Sequence, residues 1–277
     1  MATISRDKTV KIWDTEGNSL LSLPAHPYNI VEIEFSKDDQ LLLIRSADKL
    51  VRIWNLENNS ITSLKGHHSY IHTSQFGPNE EKILTSATDD TTLVWNLEGE
   101  LLAKLKHKDY ITASQFAPDG GSIVTASADK TLKWWTKDGQ LKHTLKGHQK
   151  AVTGFQFSPN GTNLLSWSND STLKLWDNTG HIVQTFDQHA AGITQAVFSP
   201  SGEHLLSSAK DNTIKLWDLK GRLLMNIKKG ADKITSIGFS SNEAYIYFTT
   251  SNQGGSICKS PMSVMKNLKS NNLTLTK

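Results

Sequence analysis

Residues 151–186 read AVTGFQFSPNGTNLLSWSNDSTLKLWDNTGHIVQTF, and the way this stretch divides decides the fold. Four β-rich runs, AVTGFQFS, TNLLSWS, TLKLWD and HIVQTF, are parted by PNG, NDS and NTG. The runs have strand length, and the breaks have the Asn, Asp, Ser and Gly content of tight turns, so the stretch predicts an antiparallel meander. No part of the chain sustains apolar residues at helical spacing.

The unit recurs on both sides of this stretch. Its phrase LKLWD at Trp176 has counterparts in VKIWD at Trp13, VRIWN at Trp54, TLVWN at Trp95, LKWWT at Trp135 and IKLWD at Trp217, with spacings of 41, 41, 40, 41 and 41 residues. One more step of 41 lands on Cys258 in GSICKS, a worn seventh copy. That period marks the four-stranded blades of a propeller. Each unit exposes too much apolar surface to stand alone and must stack on a neighbour. Gly99, Gly139, Gly161, Gly180, Gly202 and Gly221 fall in turns where a positive φ is expected.

The Gly-His before a strand (Gly66-His67, Gly147-His148), the Asp six residues before each Trp, and the Trp-Asp at a strand end (Trp176-Asp177, Trp217-Asp218) resemble the WD-repeat family over nearly the whole chain, from about residue 2 to 277. The resemblance implies an all-β, seven-bladed propeller of four-stranded antiparallel blades filling residues 1–277 as one domain. The blades would span 1–24 with 271–277, 25–65, 66–106, 107–146, 147–187, 188–228 and 229–270. The first unit begins in mid-repeat, and Leu273 to Lys277 fall where a further innermost strand begins. Pairing of LTLTK beside residues 2–5 is therefore expected to shut the ring and remove two exposed sheet edges. The repeats look bacterial, and the resemblance suggests a sensor or docking module of a larger signalling protein.

Bulk properties narrow the function classes. Hydrophobic content of 37% and charged content of 21% suit a folded globular protein. The net charge of +3 has no Lys/Arg block behind it, which gives little reason to expect nucleic acid. The longest aliphatic run, Leu41 to Ile44, is far too short to span a bilayer, and no signal peptide is read at the N-terminus. A single cysteine, Cys258, excludes an internal disulfide framework. A cytoplasmic, monomeric protein without cofactor or membrane partner is the expectation.

Repeated Ser or Thr, His and Asp could suggest a hydrolase. Aligned by repeat, they form the sets His67, Thr85, Asp89, Trp95; His107, Thr125, Asp129, Trp135; His148, Ser166, Asp170, Trp176; and His189, Ser207, Asp211, Trp217. In the family they resemble, such residues link the indole N–H through hydroxyl and imidazole to carboxylate. The hydroxyl is assigned ten residues before Trp, with the one eight before (Ser127, Ser168) as the alternative. A connected chain satisfies groups that would be costly to bury alone, and four identical active sites in one molecule are improbable, so a structural role and no catalysis are expected. The histidines recur far from zinc-ligand spacing, so no metal site is expected either. The second unit has Ile44 at the hydroxyl position beside His26, Asp48 and Trp54. The first has Thr3, Asp7 and Trp13 with Asn271 in the His place, and the seventh has Gly230, Phe248, Asn252 and Cys258.

The resemblance places partner-binding residues on the narrower propeller face, three and five residues after each His and one before each Asp. Two candidate clusters follow. Tyr70, His72, Tyr110 and Thr112 supply aromatic anchors with polar tips, whereas Lys210, Lys233 and Arg6 would form a basic arc suited to acidic groups or phosphate. Trp134 and Trp167 fall outside the register and are expected to pack between blades. The reading is a non-catalytic scaffold binding a peptide or protein. A propeller for small molecules or glycans is the first alternative, and nucleic-acid binding through the basic arc the second.

Overall fold

Antiparallel meanders repeat along the chain in the computed structural model, which describes residues 1–23, 26–228, 230, 232–251 and 255–259. Sheet 1 holds β1 (Ala2–Ile4), β2 (Val10–Trp13) and β3 (Ser19–Leu23). Sheet 2 holds β4 (Ile30–Phe35), β5 (Leu41–Ser46), β6 (Val51–Asn55) and β7 (Ile61–Leu64). Sheet 3 holds β8 (Ile71–Phe76), β9 (Lys82–Ala87), β10 (Thr91–Asn96) and β11 (Leu101–Lys106). Sheet 4 holds β12 (Ile111–Phe116), β13 (Ser122–Ser127), β14 (Thr131–Thr136) and β15 (Leu141–Lys146). Sheet 5 holds β16 (Val152–Phe157), β17 (Asn163–Ser168), β18 (Leu173–Asp177) and β19 (Ile182–Phe186). Sheet 6 holds β20 (Ile193–Phe198), β21 (His204–Ala209), β22 (Thr213–Asp218) and β23 (Leu223–Lys228). Sheet 7 holds β24 (Ile234–Phe239), β25 (Tyr245–Thr250) and β26 (Gly255–Lys259). No helix occurs among the described residues.

Among the described residues, contacts group those of 1–129 with 133–142 as one compact unit, and those of 130–132 with the ones from 143 to 259 as a second. Within each unit, burial follows strand position. In sheets 2, 3, 4 and 6 the second strand is covered on both faces: every residue of β13 is buried, and all but the first of β5, β9 and β21. Outer strands alternate instead, as in β11 and β15, where only Leu105 and Leu145 are buried. The lysines between them keep this free edge from pairing with another chain. Apolar layers join successive sheets. In the first unit, Leu43, Val51 and Ile53 of sheet 2 pack on Ile71, Phe76, Ile83 and Trp95 of sheet 3. In the second, Leu165, Leu173 and Phe186 of sheet 5 pack on Ile193, Phe198, Leu205 and Trp217 of sheet 6. Trp54, Trp95, Trp176 and Trp217 are the largest fully buried side chains among the described residues, and each contributes several kcal/mol.

The predicted turn glycines do take positive φ, from 71° at Gly161 to 87° at Gly180. Gly139 has a second reason to be glycine, because a Cβ there would lie 2.4 Å from that of Ala103. Sequence reading missed that the left-handed site filled by Gly161 and Gly202 is filled by Glu80 and Glu243 in sheets 3 and 7, with φ of 57° and 59°. Each carboxylate accepts a backbone N–H from the preceding sheet's turn, Glu80 from Lys37 and Glu243 from Ser201. These bonds offset a backbone cost of about 1–2 kcal/mol.

A bulge recurs in each innermost strand. The pairing register slips between Ile30 and Glu32, Ile71 and Thr73, Ile111 and Ala113, Val152 and Gly154, Ile193 and Gln195, and Ile234 and Ser236. The extra residue is left out of the ladder, which re-aims its side chain. The expected closing segment at residues 270–277 lies outside the described residues.

Candidate functional site

In sheet 3 the Trp95 indole donates to Thr85 Oγ1 at 2.8 Å, His67 Nε2 lies 2.9 Å from that oxygen, and His67 Nδ1 lies 3.0 Å from Asp89 Oδ2. Sheet 4 repeats the chain: Trp135 to Thr125 at 2.9 Å, Thr125 with His107 at 2.7 Å, His107 with Asp129 at 2.9 Å. Sheet 5 links Trp176 to Ser166, Ser166 with His148 and His148 with Asp170 at 2.8, 2.8 and 2.9 Å. Sheet 6 links Trp217, Ser207, His189 and Asp211 at 2.9, 2.8 and 3.2 Å.

Donor inventory assigns every proton in these chains. An indole only donates and an ionised carboxylate only accepts. The hydroxyl therefore accepts from Trp and donates to Nε2, and the imidazole donates from Nδ1 to Asp. The alternative hydroxyls do other work: Ser127 and Ser168 donate to the carbonyls of Tyr110 and Ala151 and accept the Asp129 and Asp170 amides. Burial pushes the His67, His107 and His189 pKa values below the ordinary range, despite their aspartates, which holds these imidazoles neutral. Burial also opposes ionisation of Asp89 and Asp211. Hydrogen bonds from Thr91 and the His68 amide, and from Thr213 and the Ala190 amide, outweigh it and keep both pKa values low. Thr85, Thr125, Ser166 and Ser207 have no exposed surface, so these Ser/Thr–His–Asp lines lack the access a nucleophile needs.

Sheet 2 departs where Ile44 interrupts it. Trp54 donates instead to Asn59 Oδ1 at 2.8 Å, a turn residue that sequence reading missed. Asp48 binds Arg52 at 2.6 Å, and His26 Nε2 stands 4.0 Å from that carboxylate without a hydrogen-bond partner among the described residues. In sheet 1 Trp13 donates to Thr3 Oγ1 at 2.8 Å, and Asp7 accepts from Thr9. Phe248 is buried in sheet 7. Asn252, Asn271 and the Cys258 side chain lie outside the described residues.

The candidate partner residues sit at the start of the innermost strands. His72 and Thr112 are bulge residues of β8 and β12. Tyr70 and Tyr110, just before those strands, are 45% and 47% exposed. Their carbonyls accept the Thr88 and Ala128 amides, each at 3.0 Å, so the residue one before each Asp ties the turn together. His72 is half-buried with Nδ1 3.0 Å from Thr73 Oγ1. Burial, and then the Arg45 charge, lower its pKa. Arg6 is exposed in the first unit, whereas Lys210 and Lys233 are exposed in the second. The Lys210 ammonium donates to Asn169 Oδ1 at 3.1 Å.

Two features of this rim escaped the sequence reading. Tyr28, 53% exposed, opens sheet 2 as Tyr70 opens sheet 3, but sits one residue earlier relative to the strand. Buried Arg45 pairs with Glu32 at 2.7 Å and donates to the Ile71 carbonyl at 2.8 Å and the Tyr70 hydroxyl at 3.4 Å. Glu32 and Arg45 are cross-strand partners, at a position filled by Ala113 and Ala126 in sheet 4. A charged pair at a register position that carries no charge in sheets 3 to 7 was the available signal.

Repeated antiparallel meanders, four of them locked by the same buried polar line and bearing exposed side chains at one end of the innermost strands, define a repeat-built β-platform. The chain belongs to the WD40 family: the model described as "WD domain, G-beta repeat" matches residues 17–55, 58–96, 99–136, 139–177 and 180–218. Among solved structures, it is similar to the crystal structure of the computationally designed Ika8 protein. The two share 29% identity with a TM-score of 0.77, over 93% of this chain and 80% of that one. No curated protein matches the sequence. WD40 proteins generally act as non-catalytic scaffolds for protein interactions.

Proposed function

We propose that this chain is a scaffold that docks a protein or peptide on the narrow face of a propeller, at the innermost-strand ends of sheets 2 to 4. The observation that carries the reading is the exposure of Tyr70 and Tyr110 on adjacent sheets that are otherwise tightly packed. Large aromatics at nearly half exposure leave apolar surface in water that a partner would cover. Their turns are held by backbone bonds and buried networks, so little order has to be acquired on binding. The test is affinity capture with the whole chain and with a Tyr70→Ala, Tyr110→Ala double variant. The variant is expected to keep its melting temperature and lose the captured protein, and undiminished capture would remove this surface from consideration.

The same reading treats residues 1–277 as one seven-bladed domain, monomeric and cytoplasmic, closed by residues 273–277 beside β1. Support comes from sheet 1, which has three strands among the described residues where sheets 2 to 6 have four. A hollow of about 460 Å³ lies next to it, lined by Ile4, Ser5, Arg6, Asn29 and Ile30.

A further inference from the structure

The first unit's rim carries information about the chemistry of what docks there, and the inference drawn from it rests on the docking role proposed above. Tyr70 and Tyr110 immediately precede β8 and β12, Tyr28 stands two residues before β4 with Asn29 between, and the three are 45%, 47% and 53% exposed. The position of Tyr70 and Tyr110 is filled by Asn29, Ala151, Gly192 and Lys233 in sheets 2, 5, 6 and 7, so among the described residues tyrosines cluster at this end only in sheets 2 to 4. Stacked sheets lie about 10 Å apart, and rings presented one per sheet recur at about that interval. A polyproline II chain completes a turn every three residues, about 9 Å along its axis. A segment with proline at every third position would therefore meet successive tyrosines with successive prolines.

Arg45 sets the polarity of the central contact. Its guanidinium, fixed by Glu32 and the Ile71 carbonyl, also reaches the Tyr70 hydroxyl. A guanidinium has no acceptor, so the Tyr70 oxygen must accept there and its proton turns elsewhere. No group among the described residues accepts that proton. The adjacent cation polarises it into a stronger donor, while the Glu32 carboxylate balances the charge, so the complement is a neutral acceptor and not a free anion. Backbone carbonyls of a polyproline II chain meet that requirement, because the conformation makes no internal hydrogen bonds. Aromatic grooves that take such chains gain further because the segment is already ordered before it binds.

We propose that the Tyr28–Tyr70–Tyr110 row binds a proline-rich segment in the polyproline II conformation, with prolines at three-residue intervals on the rings and a backbone carbonyl on the Tyr70 hydroxyl. The test is fluorescence anisotropy of the whole chain with a labelled peptide of four Pro-Leu-Ala repeats, against the same peptide with every proline replaced by alanine. The proline peptide binds at least about tenfold more tightly. Tyr70→Ala and Tyr110→Ala each weaken it by about tenfold, and Tyr70→Phe weakens it several-fold through loss of the donor alone. Equal binding of the two peptides, or a Tyr70→Phe variant that binds like the parent, overturns the proposal. If neither peptide binds while the double alanine variant still loses its captured protein, the proline-rich class is overturned and the docking surface stands.

Discussion

A hydroxyl that receives an indole proton can still give its own away, and that ordering makes each buried line of sheets 3 to 6 self-consistent. Trp, Ser or Thr, His and Asp each have one role, so truncating any member strands its neighbours. Asp170 accepts from His148, the Gln149 amide and Thr172. Asp170→Ala is expected to lower stability by about 2–4 kcal/mol, read from urea denaturation. The same lines set a pH dependence. His67, His107 and His189 have folded pKa values below the ordinary one, so the unfolded chain takes up protons first as pH falls. Their contribution is complete above about pH 6.5 and is lost on acidification below it. Denaturation midpoints should hold between pH 7 and 8.5 and fall from pH 6.5 towards 5; a midpoint that rises on acidification would contradict neutral imidazoles. At this scale much was legible, because the four sets recur in register. The Asn59 acceptor was not, since a single turn residue replacing a missing hydroxyl has no counterpart to align with.

Strand elements were legible from their turns, but the bulge was not: it adds one residue to the innermost strand without disturbing the repeat length. It places His72 and Thr112 outside the ladder, and a position rule borrowed from family resemblance found them only by analogy. Cross-strand pairs show a second hidden regularity. Trp167 opposes Gly154, and a Cβ on that glycine would meet the indole at 2.4 Å. Tyr247 opposes Gly238, where a Cβ would lie 2.3 Å from the phenol. Sequence reading singled out Trp167 as falling outside the register and missed the glycine that makes room for it. Gly154→Ala is therefore expected to destabilise the chain by about 1–3 kcal/mol through overpacking. In a Trp167→Ala background the same change should cost little. Thermal denaturation of the four proteins in this cycle measures the coupling, and additive effects would show that indole and glycine do not compete for one space.

For the whole molecule, the repeat was readable because six tryptophans return every 40 or 41 residues, and a further step of 41 reaches Cys258. The ends were harder, since the first copy has Asn271 in place of its His and the seventh has lost every residue that marks the register. If residues 273–277 close the structure as proposed, deleting 270–277 leaves the edge of sheet 1 unpaired, and the melting temperature should fall by several degrees; an unchanged transition would remove the closure reading. Loss of that segment is expected to matter more than an equal trim of any outer loop, because its strand would touch two sheets at once. The Trp167–Gly154 pair bears on how such repeats diverge. Starting from two ordinary side chains, a change to tryptophan is blocked while its opposite number keeps a Cβ, so the viable route goes through glycine first. Descent from a common repeat thus runs in a fixed order at such pairs, and a homologue caught midway should carry the small residue without the large one, never the reverse.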